Sequence, residues 1–444
     1  MRKIIYATGL VLTMATVSSC KKYLDIVPVG SVIPTTVADF KKELDAAYEL
    51  ADLDKGLASY RSDEITVNET RSRDVELISN NFLWDENAPT LGGTYNWKNK
   101  YQKIFYANHI IEAAPAATDG NQAQKNQLIG EAYLMRAYTY FNLVNLHGAA
   151  YNEATMATDK AVPLITEVDM EKVSRRNTVK EVYTQILADL EQGLALVNVD
   201  NFEVSQSYRF SKTAAWAMAA RVYLYTHQWD KALNAAKAAL EIKNTLVDFN
   251  NSNALPTLYN SIETIQAYEQ NFNVTTVQTA YVSDKLFSLY NPIGDLRPKI
   301  FYGKDSKGKN TIAKVSNSNS YRQSFRTAEM YLIAAEAAAK LNQPDVARNY
   351  MDQLTQRRHT PAFHATEQIR LSTLSGNALL QEIYDERFRE LSFEGHRWFD
   401  LRRTSQPEIV HTLKGKTYTL KAGDPRYTIR IPMDATANNP LLNE

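Results

Sequence analysis

The chain has 444 residues, with 50 lysines and arginines set against 50 aspartates and glutamates, and it carries 26 tyrosines and one cysteine. A formal charge of zero removes the electrostatic case for a nucleic-acid partner, which needs a basic patch or stripe. A lone cysteine excludes an internal disulfide framework, and the length fits about two or three ordinary domains or one large repeat-built body.

Arg2 and Lys3 precede an apolar run from Ile4 to Val17, the order of a signal peptide over residues 1–19. About fourteen residues fall short of the roughly twenty that cross a bilayer as a helix. The run ends Val17-Ser18-Ser19-Cys20, and small residues before the single cysteine resemble a bacterial lipobox, in which Cys20 is lipidated and becomes the mature N-terminus. Several acyl chains on one residue suffice for stable anchoring, each buried methylene contributing about 0.8 kcal/mol. An ordinary secretory signal with an incidental cysteine is the other reading.

Residues 21 to 35 read as an extended tether, because Pro28, Gly30 and Pro34 oppose helix. Asp39 to Leu50 is the first amphipathic helix. The polar stretch 55–95 holds Asp63-Glu64, Arg71, Arg73, Asn81, Trp84 and Gly92-Gly93, and reads as irregular structure with short helices. Helical spacing returns from Trp97 to Ala113, from Leu128 to Leu146 and from Thr178 to Val197.

Ser211 to Tyr225 with Trp229 to Ile242 makes a helical hairpin, and Arg326 to Lys340 with Pro344 to Arg357 makes another. The two superpose in sequence. Ala220 and Ala232 stand at the same offset as Ala335 and Ala347, and Gln228-x-Asp230 matches Gln343-x-Asp345. Small residues at those places let paired helices approach, as in tetratricopeptide (TPR) repeats of about 34 residues. The expected fold class is therefore all-α: a TPR-like helical-hairpin scaffold with a long loop-rich insert and short strands near the C-terminus.

The insert spans 243–325, is rich in Asn, Ser, Thr and tyrosine, and shows no helix of useful length. It separates a region 20–242 of helical pairs from a region 326–444 holding the last pair, a charged motif and a tail. A loop region this long is more often functional than idle. In the tail, KTYTL and RYTIRIP read as short strands.

The charged motif is DERFRELSFEGHRWFDLRR, from Asp385 to Arg403. Tyr384, Phe388 and Leu391 share one helical face, and Asp385 with Arg389 has the favourable orientation for an ion pair four residues apart. Gly395 breaks the helix, since glycine costs about 1 kcal/mol there against alanine. Glu386, Glu390 and Glu394 are either acid/base carboxylates or members of a buried charge-paired clamp. Acids with arginines in reach usually pair, which favours the clamp.

Glu386, Arg387, Glu390, Leu391, Phe393, Glu394, Gly395, Arg397, Trp398, Asp400, Leu401 and Arg403 spell ER-x-x-EL-x-FEG-x-RW-x-DL-x-R. The stretch resembles the C-terminal signature of the SusD/RagB family of outer-membrane glycan-binding lipoproteins, where it is structural and does not touch ligand. CKKYLDIVPVG resembles that family's mature start, and RIPMDATANNPLLNE its usual end. The resemblance implies a non-enzymatic protein, anchored through Cys20 in the outer membrane and displayed on the cell surface. It would cap a SusC-like TonB-dependent β-barrel transporter and hand oligosaccharide into it. The insert carries no family motif.

Chemical motifs are sparse. There is no His-Glu-x-x-His, Gly-x-Ser-x-Gly or phosphate-cradling glycine loop, and His359 and His364 lack the further ligands of a zinc site. No cofactor is implied, although calcium leaves no spacing outside an EF-hand. Sugar binding asks for flat aromatics with a few placed polar groups. Trp84 with Arg71, Arg73 and Asn81 suits it, Tyr281 and Tyr290 offer a second aromatic, and Asp63 resembles the acid that opens the family's ligand-side loops. Packing under a loop is the competing reading for each aromatic. Two other function classes stay open: a lipid-anchored TPR scaffold for protein assembly, and a glycoside hydrolase built on Asp63 and Glu64.

Overall fold

Side-chain caps set the starts of several N-terminal helices. Thr36 accepts from Asp39 N–H to open α1 (Val37–Glu49). Short α2 (Asp54–Ser59) and α3 (Ser72–Phe82) follow. Asn96 opens α4 (Trp97–Ala113), and reciprocal capping boxes, Asn121 with Gln124 and Thr178 with Glu181, open α5 (Gln122–His147) and α6 (Val179–Leu196). The Asn121 box starts α5 at Gln122, ahead of the apolar run at Leu128 that marks it in the sequence. In this computed structural model the described residues are 34–50, 53–86, 95–168, 173–272, 274–316, 318 and 320–444. The signal peptide, Cys20, most of the tether and Gly92-Gly93 lie outside them.

The scaffold is the TPR-like one expected. Hairpin α7 (Lys212–Tyr225) and α8 (Trp229–Ile242) is followed by hairpin α12 (Thr327–Lys340) and α13 (Pro344–Thr355), with α12 packed on α8. Ala220, Ala232, Ala335 and Ala347 are all fully buried. The two turns match in conformation. His227 and Asn342 both have positive φ, 57° and 56°, and Gln228 and Gln343 both donate back five residues, to Tyr223 O and Ala338 O at 2.9 Å. A small residue likewise closes α5 on α6: a Cβ at Gly193 would lie 2.5 Å from Leu134 Cγ, so glycine permits the close approach.

The insert is not a loose loop. Between short helices α9 (Val274–Thr279), α10 (Asp284–Phe287) and α11 (Arg297–Phe301) it contributes strands to two small sheets. Strand β1 (Ile65–Val67) and insert strands β3 (Ala280–Val282), β4 (Tyr302–Lys304) and β5 (Asn310–Ile312) form one antiparallel sheet in the order β1-β3-β5-β4. Strand β2 (Thr264–Gln266) pairs with β6 (Phe325–Arg326). The insert's Phe272, Tyr290, Phe301 and Tyr302 are buried with Tyr60, Phe82, Phe388 and Phe393 in a second core beside the helical one. Most of the aromatic content of this region is core.

The motif at 385–403 joins these parts. Helix α15 (Gly376–Leu391) and helix α16 (Arg397–Arg403), which follow α14 (Pro361–Ser372), are separated by Phe393 and Gly395 at φ 61° and 75°. The clamp reading holds, with most partners coming from distant segments and one, Arg389, from the helix itself. Glu390 accepts from Arg297, Arg326 and Arg358; Glu394 from Arg326 and Lys314; Glu386 from Arg297 and Arg389. Every one of these carboxyls is raised by burial and pulled down further by its cations, ending below the usual range. The expected Asp385–Arg389 pair does not form, because Arg389 turns to Glu382 and Glu386.

In the tail, β7 (Ile409–Leu413) and β8 (Lys416–Leu420) make the expected hairpin around KTYTL. RYTIRIP departs from expectation. A 3-10 turn, Pro425–Tyr427, leads into extended chain whose Ile429 N–H donates to Leu146 O, so it seals the end of α5 instead of pairing as a strand. Short α17 (Met433–Asn438) ends the helices. No described helix is long and apolar enough to cross a membrane.

Candidate ligand-binding face

Pairing of β1 with β3 joins two segments about two hundred residues apart. Ile65 faces Val282, Thr66 faces Tyr281 and Val67 faces Ala280. Backbone bonds extend the ladder at both ends, Ser283 N–H to Glu64 O and Asn68 N–H to Thr279 O. Directly opposed residues in a sheet share a face, so Thr66, Tyr281, Thr311 and Gly303 form a row across the four strands. Ile65, Val282, Tyr302 and Ile312 point to the other side and are buried in the second core.

Tyr281 is half-buried and stands in the middle of this row. Its hydroxyl donates to Asp305 Oδ2 at 2.6 Å. Asp305 Oδ1 accepts from Lys307 N and Lys309 N at 2.9 Å each, fixing the β4–β5 turn, where Gly308 takes φ 75°. The Tyr281 hydroxyl holds the Asp305 carboxyl below its ordinary value, and the carboxylate raises the phenol in turn. A Cβ at Gly303 would meet Thr311 Oγ1 at 3.1 Å, so this glycine keeps the row low beside Thr311. The face thus offers one ring with a fixed hydroxyl, flanked by threonine hydroxyls.

Residues expected at a sugar site divide into two groups. Arg71 and Arg73 are exposed at the start of α3, Arg71 paired with Asp74 at 2.7 Å. The others turn inward. Trp84 is 1% exposed, donates its indole N–H to Arg61 O at 2.9 Å and stacks on His411 at 4.3 Å, leaving no ring face for a ligand. Asn81 is buried and accepts from Tyr95. Tyr290 is buried, donates to Arg389 O and contacts the Tyr302 hydroxyl.

Asp63 is 9% exposed and receives Arg397 at 2.6 and 2.8 Å, with Lys285 at 2.7 Å. Burial alone would raise its carboxyl, but the Arg397 guanidinium, helped by Lys285, holds it at about 2. Glu64 is fully buried, accepts Phe393 N–H at 2.8 Å and is pushed up to about 7 by burial. These acids therefore tie β1 to the Phe393–Arg397 segment, which is not the exposed pair a hydrolase reading asks for. Sequence reasoning missed Thr66, Asp305 and Thr311. The available signal was the Asp-Ser-Lys-Gly turn between FYGK and NTIA, a hairpin pattern. Among the described residues no group of three or more His, Cys, Asp or Glu is placed to hold a metal.

Comparison with known proteins places this architecture. Residues 22–224 match a SusD-like family model described as starch-binding and associating with the outer membrane, and residues 247–441 match the SusD family model. The chain belongs to the SusD family. SusD-like protein P38 of Formosa agariphila is 25% identical to it, over 92% of this chain and 93% of that one. A SusD superfamily protein from Bacteroides fragilis shares the fold with a TM-score of 0.77 at 22% identity, covering 93% of this chain and 100% of its own. A SusD-like carbohydrate binding protein from Bacteroides vulgatus does so with a TM-score of 0.70 at 21% identity, covering 92% and 98%. SusD-like proteins bind carbohydrate and are not enzymes, and the family is associated with the outer membrane.

Proposed function

We propose that this SusD-family protein is a cell-surface lipoprotein, anchored through Cys20, that captures an oligo- or polysaccharide and delivers it to a SusC-like TonB-dependent transporter as its lid. The observation that carries the reading is the Tyr281 row. A half-exposed ring with its hydroxyl pinned by Asp305 gives a sugar a flat apolar surface, and the neighbouring threonines supply hydrogen bonds. A tether holding this face at a channel mouth raises local ligand concentration. The family description, starch-binding and associating with the outer membrane, supports the same reading.

Two measurements test it. Affinity capture of the tagged lipoprotein from detergent-solubilised outer membranes is expected to bring down one TonB-dependent barrel in near-equal amount. Recovery of assembly factors without a barrel would move the TPR-scaffold reading to the front. Titration with soluble polysaccharides is expected to show saturable binding that Tyr281→Ala weakens by up to about tenfold, in line with roughly 0.5–1.5 kcal/mol for a stacked aromatic. Binding indifferent to Tyr281 would remove the sheet face from the reading.

A further inference from the structure

In GKDSKGKN, from Gly303 to Asn310, three lysines accompany one aspartate at the tip of the β4–β5 hairpin. Asp305 N–H donates to Lys309 O and Gly308 N–H to Asp305 O, both at 3.0 Å, with Gly308 at φ 75°. This is a three-residue loop with glycine in the left-handed position, and it sets Asp305 and Lys309 directly opposite each other. Opposed residues share a face, and side chains alternate along each strand. Two residues on from this pair, Gly303 and Thr311 belong to the Tyr281 row. Lys309 therefore stands on the same face as Tyr281, while Lys304, opposed to Asn310, lies on the other.

The charges at this end of the face do not cancel. Asp305 is the acid of the hairpin, and its oxygens already take the Tyr281 hydroxyl and the N–H groups of Lys307 and Lys309. Against it stand two ammoniums, on Lys307 in the turn and on Lys309, both exposed. Among the described residues neither is in an ion pair. The row itself, Thr66, Tyr281, Thr311 and Gly303, is uncharged. Two cations beside one committed carboxylate leave the face positive.

Lys309 lies two residues along the strand from Thr311, about 7 Å, so a chain stacked on Tyr281 passes within reach of its ammonium. A neutral polymer leaves both ammoniums in water and gains nothing from them. A carboxylate or sulfate on the stacked ring, or on the next, pairs with them, and a cationic substituent is repelled. An exposed ion pair is worth up to about fivefold in affinity. Resting on the reading of this sheet as the ligand face, we propose that it selects an acidic polysaccharide, bearing carboxylate or sulfate groups, and that Lys309 with Lys307 sets the preference.

Calorimetric titration with two matched pairs of polymers tests it: polygalacturonate against its methyl ester, and a sulfated galactan against the same galactan desulfated. Within each pair only the charge differs. At low salt at least one acidic member is expected to bind about fivefold tighter than its uncharged partner, and the pair that does so assigns carboxylate or sulfate. Sodium chloride at about 0.5 M is expected to erase the difference, since the Debye length falls to a few ångströms. Lys309→Met is expected to lose up to about fivefold for the acidic polymer and nothing for the uncharged one. Lys309→Arg is expected to keep the preference, and Lys304→Met, on the other side of the sheet, to change neither affinity. Thermal melting confirms that the variants fold. Failure of both acidic polymers to bind overturns the proposal. Equal affinity within each pair, weakened alike by Tyr281→Ala, overturns it too but leaves the ligand face standing. A preference that survives Lys307→Met combined with Lys309→Met also overturns it. Binding that Tyr281→Ala leaves untouched removes the ligand face, and the proposal with it.

Discussion

Glu390→Gln is the sharpest test of the buried clamp. The change keeps the side-chain shape and removes one negative charge at a site where three guanidiniums converge. Arg358 approaches from 2.9 to 3.1 Å, Arg326 at 2.8 Å and Arg297 at 3.1 Å, and all four residues are essentially fully buried. Glutamine retains one acceptor oxygen but turns an amide N–H₂ toward the arginines. Removing one partner of a buried ion pair costs roughly 3–5 kcal/mol, because the remaining charge stays desolvated. Against a total stability of about 5–15 kcal/mol that is a large share.

Urea unfolding followed by far-UV circular dichroism at pH 7 measures it; urea is chosen because guanidinium would screen the charges. A second variant sharpens the assignment. Adding Arg358→Met to Glu390→Gln removes the surplus cation and is expected to recover part of the loss. A loss below about 1 kcal/mol, or no recovery in the double variant, refutes the claim that uncompensated charge drives the effect. The pH dependence follows the same logic. Glu390 titrates below 4.5 in the folded chain, so its contribution is present above that value and lost as pH falls through the folded value. Glu390→Gln is therefore expected to flatten the acid limb of the stability curve.

Asp63→Asn is expected to cost about 2 kcal/mol at pH 7, from a carboxyl held at about 2 against 3.8. That gap is full above pH 3.8 and closes as pH falls toward 2, so urea midpoints at pH 7 and pH 2.5 check it, and an equal gap at both speaks against the Arg397 pairing. Glu64→Gln has the opposite sign. A carboxyl raised from 4.5 to about 7 destabilises increasingly as pH climbs through that window, so the variant is expected to gain up to about 3 kcal/mol at pH 8 and little at pH 4.5. Trp84→Ala is expected to lose about 3–5 kcal/mol as a buried aromatic, while the folded variant keeps its polysaccharide affinity. A Kd shift in that variant would return Trp84 to the ligand.

How far the sequence could be read depended on whether a feature was local. The helical hairpins at Ser211–Ile242 and Arg326–Arg357 were legible because apolar period, small residues and turn residues lie within one segment, and the matched φ angles of His227 and Asn342 show the same local code used twice. Trp84 was misplaced for the opposite reason. Its segment lacks a periodic stripe, so nothing nearby reveals that His411, from β7, stacks on it. Tyr281 and Tyr290 look alike in sequence, nine residues apart. One falls in β3 on the outer side of the sheet, and the other packs against Tyr302 and the carbonyl of Arg389.

The sequence by itself determined the helical scaffold and the acid–arginine motif. Each rests on spacing within about twenty residues, where backbone geometry alone decides which side chains meet. Tertiary structure alone decided which arginine answers which glutamate and which tyrosine meets solvent. It also turned Arg389 from Asp385 toward Glu382 and Glu386. These outcomes turn on contacts between segments tens to hundreds of residues apart, and no local periodicity encodes the register in which β1 meets β3.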